Sequence, residues 1–147
     1  MDSGKVGREE VDVMRALIEA EEKESEFKWL RKARYVKSYF AGDMVVVVLE
    51  VGGVSPYQVA RLARRLGDAL ERRVKVVTSQ GDAKTMVGQI LYPARVLGIN
   101  TLWLPDGSTR YTVRIPRHDV RHLPAPVETI EEILTKILKI PVRIKAE

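Results

Sequence analysis

The sequence contains no cysteine, only two histidines and only 6% aromatic residues among its 147 positions. Without cysteine, a disulfide framework, thiolate metal ligands and a thiol nucleophile are all excluded. No segment reaches the roughly 18 consecutive apolar residues that mark a membrane-spanning helix. The first ten residues lack the apolar core of a secretory signal peptide. We therefore expect a cytoplasmic protein that is not associated with a membrane.

Residue combinations that support catalysis or cofactor binding are also missing. The sequence has no Walker-type or dinucleotide-type glycine loop, and no candidate nucleophile lies beside a candidate base. His118 and His122 have the spacing of zinc-hydrolase ligands, but Asp119 follows the first histidine where those enzymes use Glu. Pro116 and Pro124 bracket this segment and disfavour a regular helix. We expect no enzymatic activity, no metal and no cofactor.

Positive charge is present in excess, and it is unevenly distributed along the chain. The net charge is +5, but residues 1–27 contribute −5, residues 28–122 contribute +10, and the remainder is neutral. A basic centre beside an acidic segment indicates a polyanionic partner such as nucleic acid. The alternative is a solvated ion-pair surface of the kind found in heat-adapted proteins, which the excess of arginine over lysine also fits.

The sequence contains one structural pattern twice. In each half, apolar spacing and capping residues predict a helix, two strands joined by a turn, a second helix and a final strand. The first half comprises a helix over 8–24, strands over 34–40 and 44–51, a helix over 56–71 and a strand over 73–78. The second comprises a helix over 82–91, strands over 94–104 and 109–115, a helix ending near 139 and a strand over 140–145.

This duplication predicts an α+β fold of two αββαβ units, residues 1–80 and 81–147, packed as one rigid body. The segments that close the two units, residues 71–77 and 139–144, are also alike. Each unit has a helix, an antiparallel strand pair, a helical connection and a last strand, which is the element order of a type II KH domain.

Two short motifs strengthen that likeness. Residues 59–67, leading into residues 74–77, resemble the helix-to-strand segment of archaeal NusA-like proteins, and residues 91–96 resemble the Pro-Ala junction between the two KH units of that family. The resemblance covers about residues 8–145. It implies tandem type II KH domains in an RNA-binding factor of transcription elongation or termination, with single-stranded RNA and RNA polymerase as partners.

The chain departs from the KH pattern at the loop that contacts nucleic acid. KH domains clamp the backbone of a nucleic acid with a Gly-x-x-Gly loop. The first half has Gly52 and Gly53 at a different spacing, and residues 118–126 of the second half contain no glycine. Two hypotheses follow. The chain binds RNA mainly through backbone electrostatics, or it is a degenerate KH module that docks on RNA polymerase or another ribonucleoprotein without clamping RNA.

The candidate contacts in the first half surround the start of the second predicted helix. The glycine pair and the N-cap Ser55 would cradle a phosphate; the simpler alternative is a tight connection into a capped helix. Tyr57 is the best-placed aromatic residue for stacking on a base. The arginines of this region are Arg61, Arg64, Arg65, Arg72 and Arg73. Asp68 and Glu71 offer local partners, but five arginines against two acids predict an excess of positive charge.

The candidate contacts in the second half follow one strand and the loop after it. Alternation places Arg110 and Arg114 on the same strand face, which predicts a basic ribbon able to follow a phosphate backbone. Arg117, Arg121 and His122 extend this ribbon into the loop. The alternative is an ordinary solvated strand face.

Overall fold

Residues 7–78 and 82–147 are described by a computed structural model. In chain order they form α1 (Arg8–Lys23), a first 3-10 segment (Ser25–Lys32), β1 (Arg34–Ala41), β2 (Met44–Glu50), α2 (Pro56–Leu70), β3 (Arg73–Val77), α3 (Ala83–Leu91), β4 (Gly98–Trp103), β5 (Thr109–Ile115), a second 3-10 segment (Arg117–His122), α4 (Val127–Leu138) and β6 (Val142–Ala146). Within these two ranges, no helix combines the length and the hydropathy that crossing a bilayer requires.

The strands form two three-stranded sheets with the same connectivity. β1 pairs antiparallel with β2, and β2 pairs parallel with β3; β4, β5 and β6 repeat this order and these directions. The predicted mixed α+β class is confirmed, with the order helix, strand, strand, helix, strand in each half. The expected unit boundary at residues 80 and 81 lies outside the described residues.

Local capping chemistry fixes the ends of α2. The Ser55 hydroxyl accepts a hydrogen bond from the Gln58 backbone N–H, and the Gln58 side chain accepts one from the Ser55 N–H, which completes the predicted capping box. The helix ends at Glu71, whose left-handed φ of 56° turns the chain into β3. Lys139 does the same between α4 and β6, with a φ of 62°. In both halves, therefore, a residue with left-handed backbone angles joins the last helix to the last strand.

β2 holds the two halves together because both of its faces are covered. Val45, Val47 and Leu49 pack against α1, the first 3-10 segment and α2. Met44, Val46 and Val48 instead join a second apolar cluster that includes residues of α3, β5 and α4. All six side chains are at most 5% exposed. A run that is apolar on every position is what a strand buried on both faces requires.

The second sheet differs, because only one of its faces is packed. Val113, Ile115 and Val142 lie on the face toward α4 and are buried. The alternate positions of β5, including Arg110 and Arg114, lie on the other face, as predicted from the alternation. Asn100 of β4 and Arg143 and Lys145 of β6, which lie on the same outer face, are exposed.

One predicted strand is shorter than expected. The sequence predicts a strand over 94–104, but β4 begins at Gly98. Ala94 instead donates its backbone N–H to the Leu91 carbonyl, which makes a turn at the end of α3. Residues 92–97 therefore connect α3 to the second sheet.

Candidate nucleic-acid interface

A groove of about 910 Å³ lies where α2, β3 and α3 meet. Val59 and Ala63 of α2 and Val74 and Val76 of β3 give it an apolar lining. The turn of α3 around Gly88 adds a position without a side chain. The groove opens beside the start of α2, where the Gly52-Gly53 turn and the capped helix terminus lie. An apolar groove with a few polar groups at its edges is the usual form of a ligand site.

Tyr57 contributes an exposed aromatic ring from the α2 side of the groove. Its side chain is 68% exposed. The Arg61 guanidinium lies 5.7 Å from the ring centroid and donates a hydrogen bond of 3.3 Å to the Tyr57 hydroxyl. Arg61 is itself bound by both carboxylate oxygens of Glu26, at 2.6 and 3.1 Å. This chain of contacts orients the ring and leaves most of it accessible.

Tyr92 contributes a second exposed ring at the end of α3. It is 69% exposed, and the Lys75 ammonium lies 5.7 Å from its centroid. The same ammonium donates a 2.6 Å hydrogen bond to the Tyr92 carbonyl. Burial lowers the pKa of Lys75, because the apolar surroundings disfavour its charged form. A lysine and two tyrosines thus line one groove.

Two further polar groups in the groove have no partner among the residues that the structure describes. Arg64 is exposed and forms no ion pair with any described residue. The amide oxygen Oε1 of Gln89 is buried without a hydrogen-bond partner in the described part of the chain. A buried acceptor without a donor is costly, and a ligand N–H or O–H in the groove would satisfy it.

The expectation of excess arginine charge around α2 is wrong. Arg61 pairs with Glu26 and Arg65 with Glu24. Both carboxylates belong to the segment from α1 to the first 3-10 segment, which we call the acidic segment. The remaining pairs also join residues that are far apart in sequence: Arg72 with Glu9 at 2.7 Å and Arg73 with Asp43 at 3.4 Å. The sequence suggests only local partners three or four positions away, whereas folding brings in carboxylates more than 25 positions distant. The hydrogen bond from Arg61 also lowers the pKa of Glu26.

The predicted contacts of the second half do not line the groove. Arg110 and Arg114 lie on the outer face of the second sheet, and Arg117, Arg121 and His122 are exposed on the second 3-10 segment. The predicted residues therefore fall into two separate groups. Tyr57 and Arg64 line the groove directly, while Gly52, Gly53 and Ser55 shape the helix start at its edge.

The two histidines lie in the second 3-10 segment, where an i, i+4 pair does not share one face as it would in an α-helix. His118 Nε2 instead lies 2.7 Å from an Arg95 nitrogen and 3.3 Å from Asp119. Across residues 7–78 and 82–147, no group of three or more His, Asp or Glu side chains is arranged to hold a metal.

Lys75, Gln89 and Tyr92 are groove residues that sequence reasoning does not select. Lys75 lies in a strand that the sequence predicts correctly, but alternation alone does not show that α3 crosses beside it. The position of α3 depends on long-range packing of Val87 and Ile90 against the shared core, which no local pattern encodes. Tyr92 is one of five tyrosines, and composition alone does not distinguish an exposed ring from a core ring.

No protein-family model matches the sequence, and no curated protein matches it. The fold is similar to the solved crystal structure of APE1850, with a TM-score of 0.63 over 95% of this chain and 100% of that chain. The two sequences are 14% identical. The comparison therefore shows a shared fold.

Proposed function

We propose that this chain binds single-stranded RNA in the groove formed by α2, β3 and α3. The observation that supports this most directly is the pair of exposed tyrosines, Tyr57 and Tyr92, which line the same groove. Proteins that bind single strands stack bases on such rings and place cations nearby for the phosphates. Arg64 and Lys75 supply those cations. The free acceptor on Gln89 would receive a hydrogen bond from a base or a ribose hydroxyl.

We further propose that the two αββαβ halves are KH-like units of type II, related to the NusA-like factors that act in transcription elongation or termination. The repeated sheet connectivity supports this, as do the motifs at residues 59–67 and 91–96. The groove lies beside the Gly52-Gly53 turn, at the start of a capped helix, which suits the approach of a phosphate. The second unit has two helical segments before β6 but no glycine between them.

The ion pairs around α2 limit the electrostatic contribution to RNA affinity. Because four of the five arginines around α2 already have carboxylate partners, few cations remain there to neutralise phosphates. Stacking should therefore contribute more to affinity in the groove than charge. Arg61 acts on RNA indirectly, by orienting Tyr57.

Fluorescence anisotropy with a labelled oligouridylate tests the groove. Tyr57→Ala and Tyr92→Ala should each weaken binding by about 1–3 kcal/mol, which is the usual contribution of one stacked base. Arg64→Glu should weaken binding and make its salt dependence shallower. The matched controls are Trp103→Ala, an aromatic residue that is 74% exposed outside the groove, and Arg15→Glu on the exposed face of α1.

Either of two results would contradict the proposal. If the wild-type chain shows no RNA binding in about 50 mM salt, or if the two tyrosine variants bind as tightly as Trp103→Ala, then the groove is not an RNA site. A triple change of Arg61, Arg64 and Arg65 to Glu would be a poorer test. It would place new negative charges beside Glu24 and Glu26 and destabilise the fold.

A second candidate function is a protein-docking module that has kept the fold without clamping RNA, with RNA polymerase or another ribonucleoprotein as its partner. The observation that favours it is the neutralisation of the α2 arginines. Retention on purified, nuclease-treated RNA polymerase, together with no shift of free RNA, would support this candidate over the first.

A further inference from the structure

The outer face of the second sheet concentrates cations from two strands that are distant in sequence. Arg110 and Arg114 alternate along β5, and the register places Arg143 opposite Thr112 and Lys145 opposite Arg114. Arg143 and Lys145 are exposed. We name the set Arg110, Arg114, Arg143 and Lys145 the cationic sheet face. Sequence reasoning finds only the β5 pair, because the pairing with β6 is set by the fold.

Charge on this face is mostly uncompensated. Glu147 is the one carboxylate paired with it in the described part of the chain, at 3.3 Å from Arg114. Arg110, Arg143 and Lys145 form no ion pair with a described residue, and the Nε of Arg110 is buried without a hydrogen-bond partner. On α2, by contrast, Arg61 and Arg65 form ion pairs with Glu26 and Glu24.

Arg114 of the cationic sheet face is held in a fixed orientation. Its Nε donates a 2.6 Å hydrogen bond to the side-chain oxygen of Asn100 on β4. Its guanidinium lies across Gly98, where a Cβ atom would be 2.5 Å from Nη2. Glycine weakens a strand interior and is found where another group must approach the backbone closely. Gly98 thus makes room for the guanidinium to lie flat on the sheet.

We propose that the cationic sheet face is a second nucleic-acid site, which binds the phosphodiester backbone of the strand whose bases occupy the groove. This rests on the proposed function for the identity of the strand. Nε and Nη1 of the Arg114 guanidinium bind Asn100 and Glu147, and its Nη2, which has no hydrogen-bond partner among the described residues, would donate to a phosphate oxygen. Arg110, Arg143 and Lys145 would neutralise the neighbouring phosphates, without base readout.

The chain path keeps the two sites close enough for one strand. Tyr92 of the groove and Gly98 under Arg114 are six residues apart, so their Cα atoms are separated by at most about 20 Å. Phosphates along a stacked strand follow one another at about 3.4 Å. A strand of roughly ten nucleotides therefore has the length to reach from the tyrosines to the cationic sheet face.

Amide NMR titrations of the full chain with two probes test the proposal. A ten-nucleotide oligouridylate should shift amides of both the groove and the cationic sheet face. Inorganic polyphosphate, which has no bases, should shift the amides of β5 and β6 and leave those around Tyr57 unchanged. Arg143→Glu combined with Lys145→Glu should abolish the polyphosphate shifts, while circular dichroism shows an unchanged fold.

The salt dependence of RNA binding gives a quantitative measure. Loss of two phosphate contacts should make the slope of log K against log salt shallower by about 1.4. Arg15→Glu combined with Lys23→Glu on α1 makes the same charge change away from both sites. Gly98→Ala preserves every charge but displaces Arg114, and it should weaken polyphosphate binding severalfold. A parallel loss in Gly98→Ala shows that orientation matters as well as charge.

The outcomes separate the two proposals. If neither probe shifts the amides of β5 and β6, or if the double variant has the same salt slope as the α1 control, then the cationic sheet face is not a phosphate site. If RNA leaves the groove amides unchanged while polyphosphate shifts those of the sheet face, then the groove proposal fails, and with it the claim that one strand occupies both sites, whereas the sheet face is still shown to bind phosphate.

Discussion

Asp119 is a buried carboxylate whose partners lie at the surface. Its side chain is 6% exposed, and its Oδ2 accepts hydrogen bonds from the backbone N–H and the Nε of Arg95, at 2.9 and 3.0 Å. His118 lies 3.3 Å from Oδ1. The side-chain hydrogen bond from Arg95 is the main reason that the pKa of Asp119 falls to about 2. Asp119 thus ties the second 3-10 segment to the connection that follows α3.

This lowered pKa predicts a definite pH dependence of stability. A carboxylate whose pKa is lower in the folded state stabilises the fold above its unfolded pKa of about 3.8, and that contribution is lost as the pH falls through about 2. Asp119→Asn should lower the melting temperature at pH 7. The difference between wild type and variant should shrink as the pH falls from about 4 toward 2.

Thermal unfolding followed by circular dichroism across this pH range measures the effect. Asp68→Asn, at an exposed position on α2, is the control and should melt like the wild type at every pH. A difference between Asp119→Asn and wild type that stays constant down to pH 2 would contradict the assigned role.

The capping box at the start of α2 allows a second prediction at the residue scale. Ser55→Ala removes the acceptor for the Gln58 N–H and should lower the free energy of unfolding by about 0.5–2 kcal/mol. Urea unfolding gives this value. Ser25→Ala changes an exposed serine at which no side-chain cap is present, so it should have a smaller effect. Equal effects of the two changes would argue against the cap.

Among the elements, the acidic segment from α1 to the first 3-10 segment has two roles. Its apolar side chains, including Val13, Leu17 and Phe27, cover one face of the first sheet. Its carboxylates, Glu24 and Glu26, bind arginines of α2. The segment therefore both completes the core and reduces the positive charge that the sequence predicts for the region around α2.

This pairing predicts that removing the carboxylates strengthens RNA binding. Glu24→Gln combined with Glu26→Gln would release Arg61 and Arg65 to contact phosphates, so the affinity should rise and the salt slope should become steeper by up to about 1.4. Glu19→Gln combined with Glu22→Gln on α1 makes the same change in net charge without releasing an ion-paired arginine among the described residues. Both pairs of variants are compared by fluorescence anisotropy. Indistinguishable salt slopes would contradict the prediction.

At this scale the sequence predicts most of the secondary structure and little of the site. The six strands and four α-helices of residues 7–78 and 82–147 follow from apolar periodicity and from caps such as Ser55 and Asp82. The first 3-10 segment is not predicted, since Phe27, Trp29 and Leu30 fit either a helix or a strand. The groove depends on the place where α3 packs, and the ion pairs depend on contacts between distant residues. Neither leaves a local pattern in the sequence.

At the scale of the whole molecule, the packing of β2 against both apolar clusters predicts that the chain unfolds cooperatively. Because β2 belongs to both apolar clusters, neither half keeps a complete core without the other. The full chain should unfold in one transition with an enthalpy near 100 kcal/mol, from about 0.7 kcal/mol per residue. Calorimetry should give equal calorimetric and van't Hoff enthalpies. A van't Hoff value near half of the calorimetric one would instead show two independently folding units.

Because one face of the first sheet is covered by elements of the second half, that face is exposed while the protein is being synthesised. When residue 78 leaves the ribosome, Met44, Val46, Val48 and Val77 have no cover, because α3 and α4 have not yet emerged. At about 5–20 residues per second, the emergence of Leu138 takes roughly 3–12 s longer. During that time a valine-rich strand is exposed to aggregation. We expect nascent chains stalled in this interval to bind a chaperone, and chains stalled after α4 to release it.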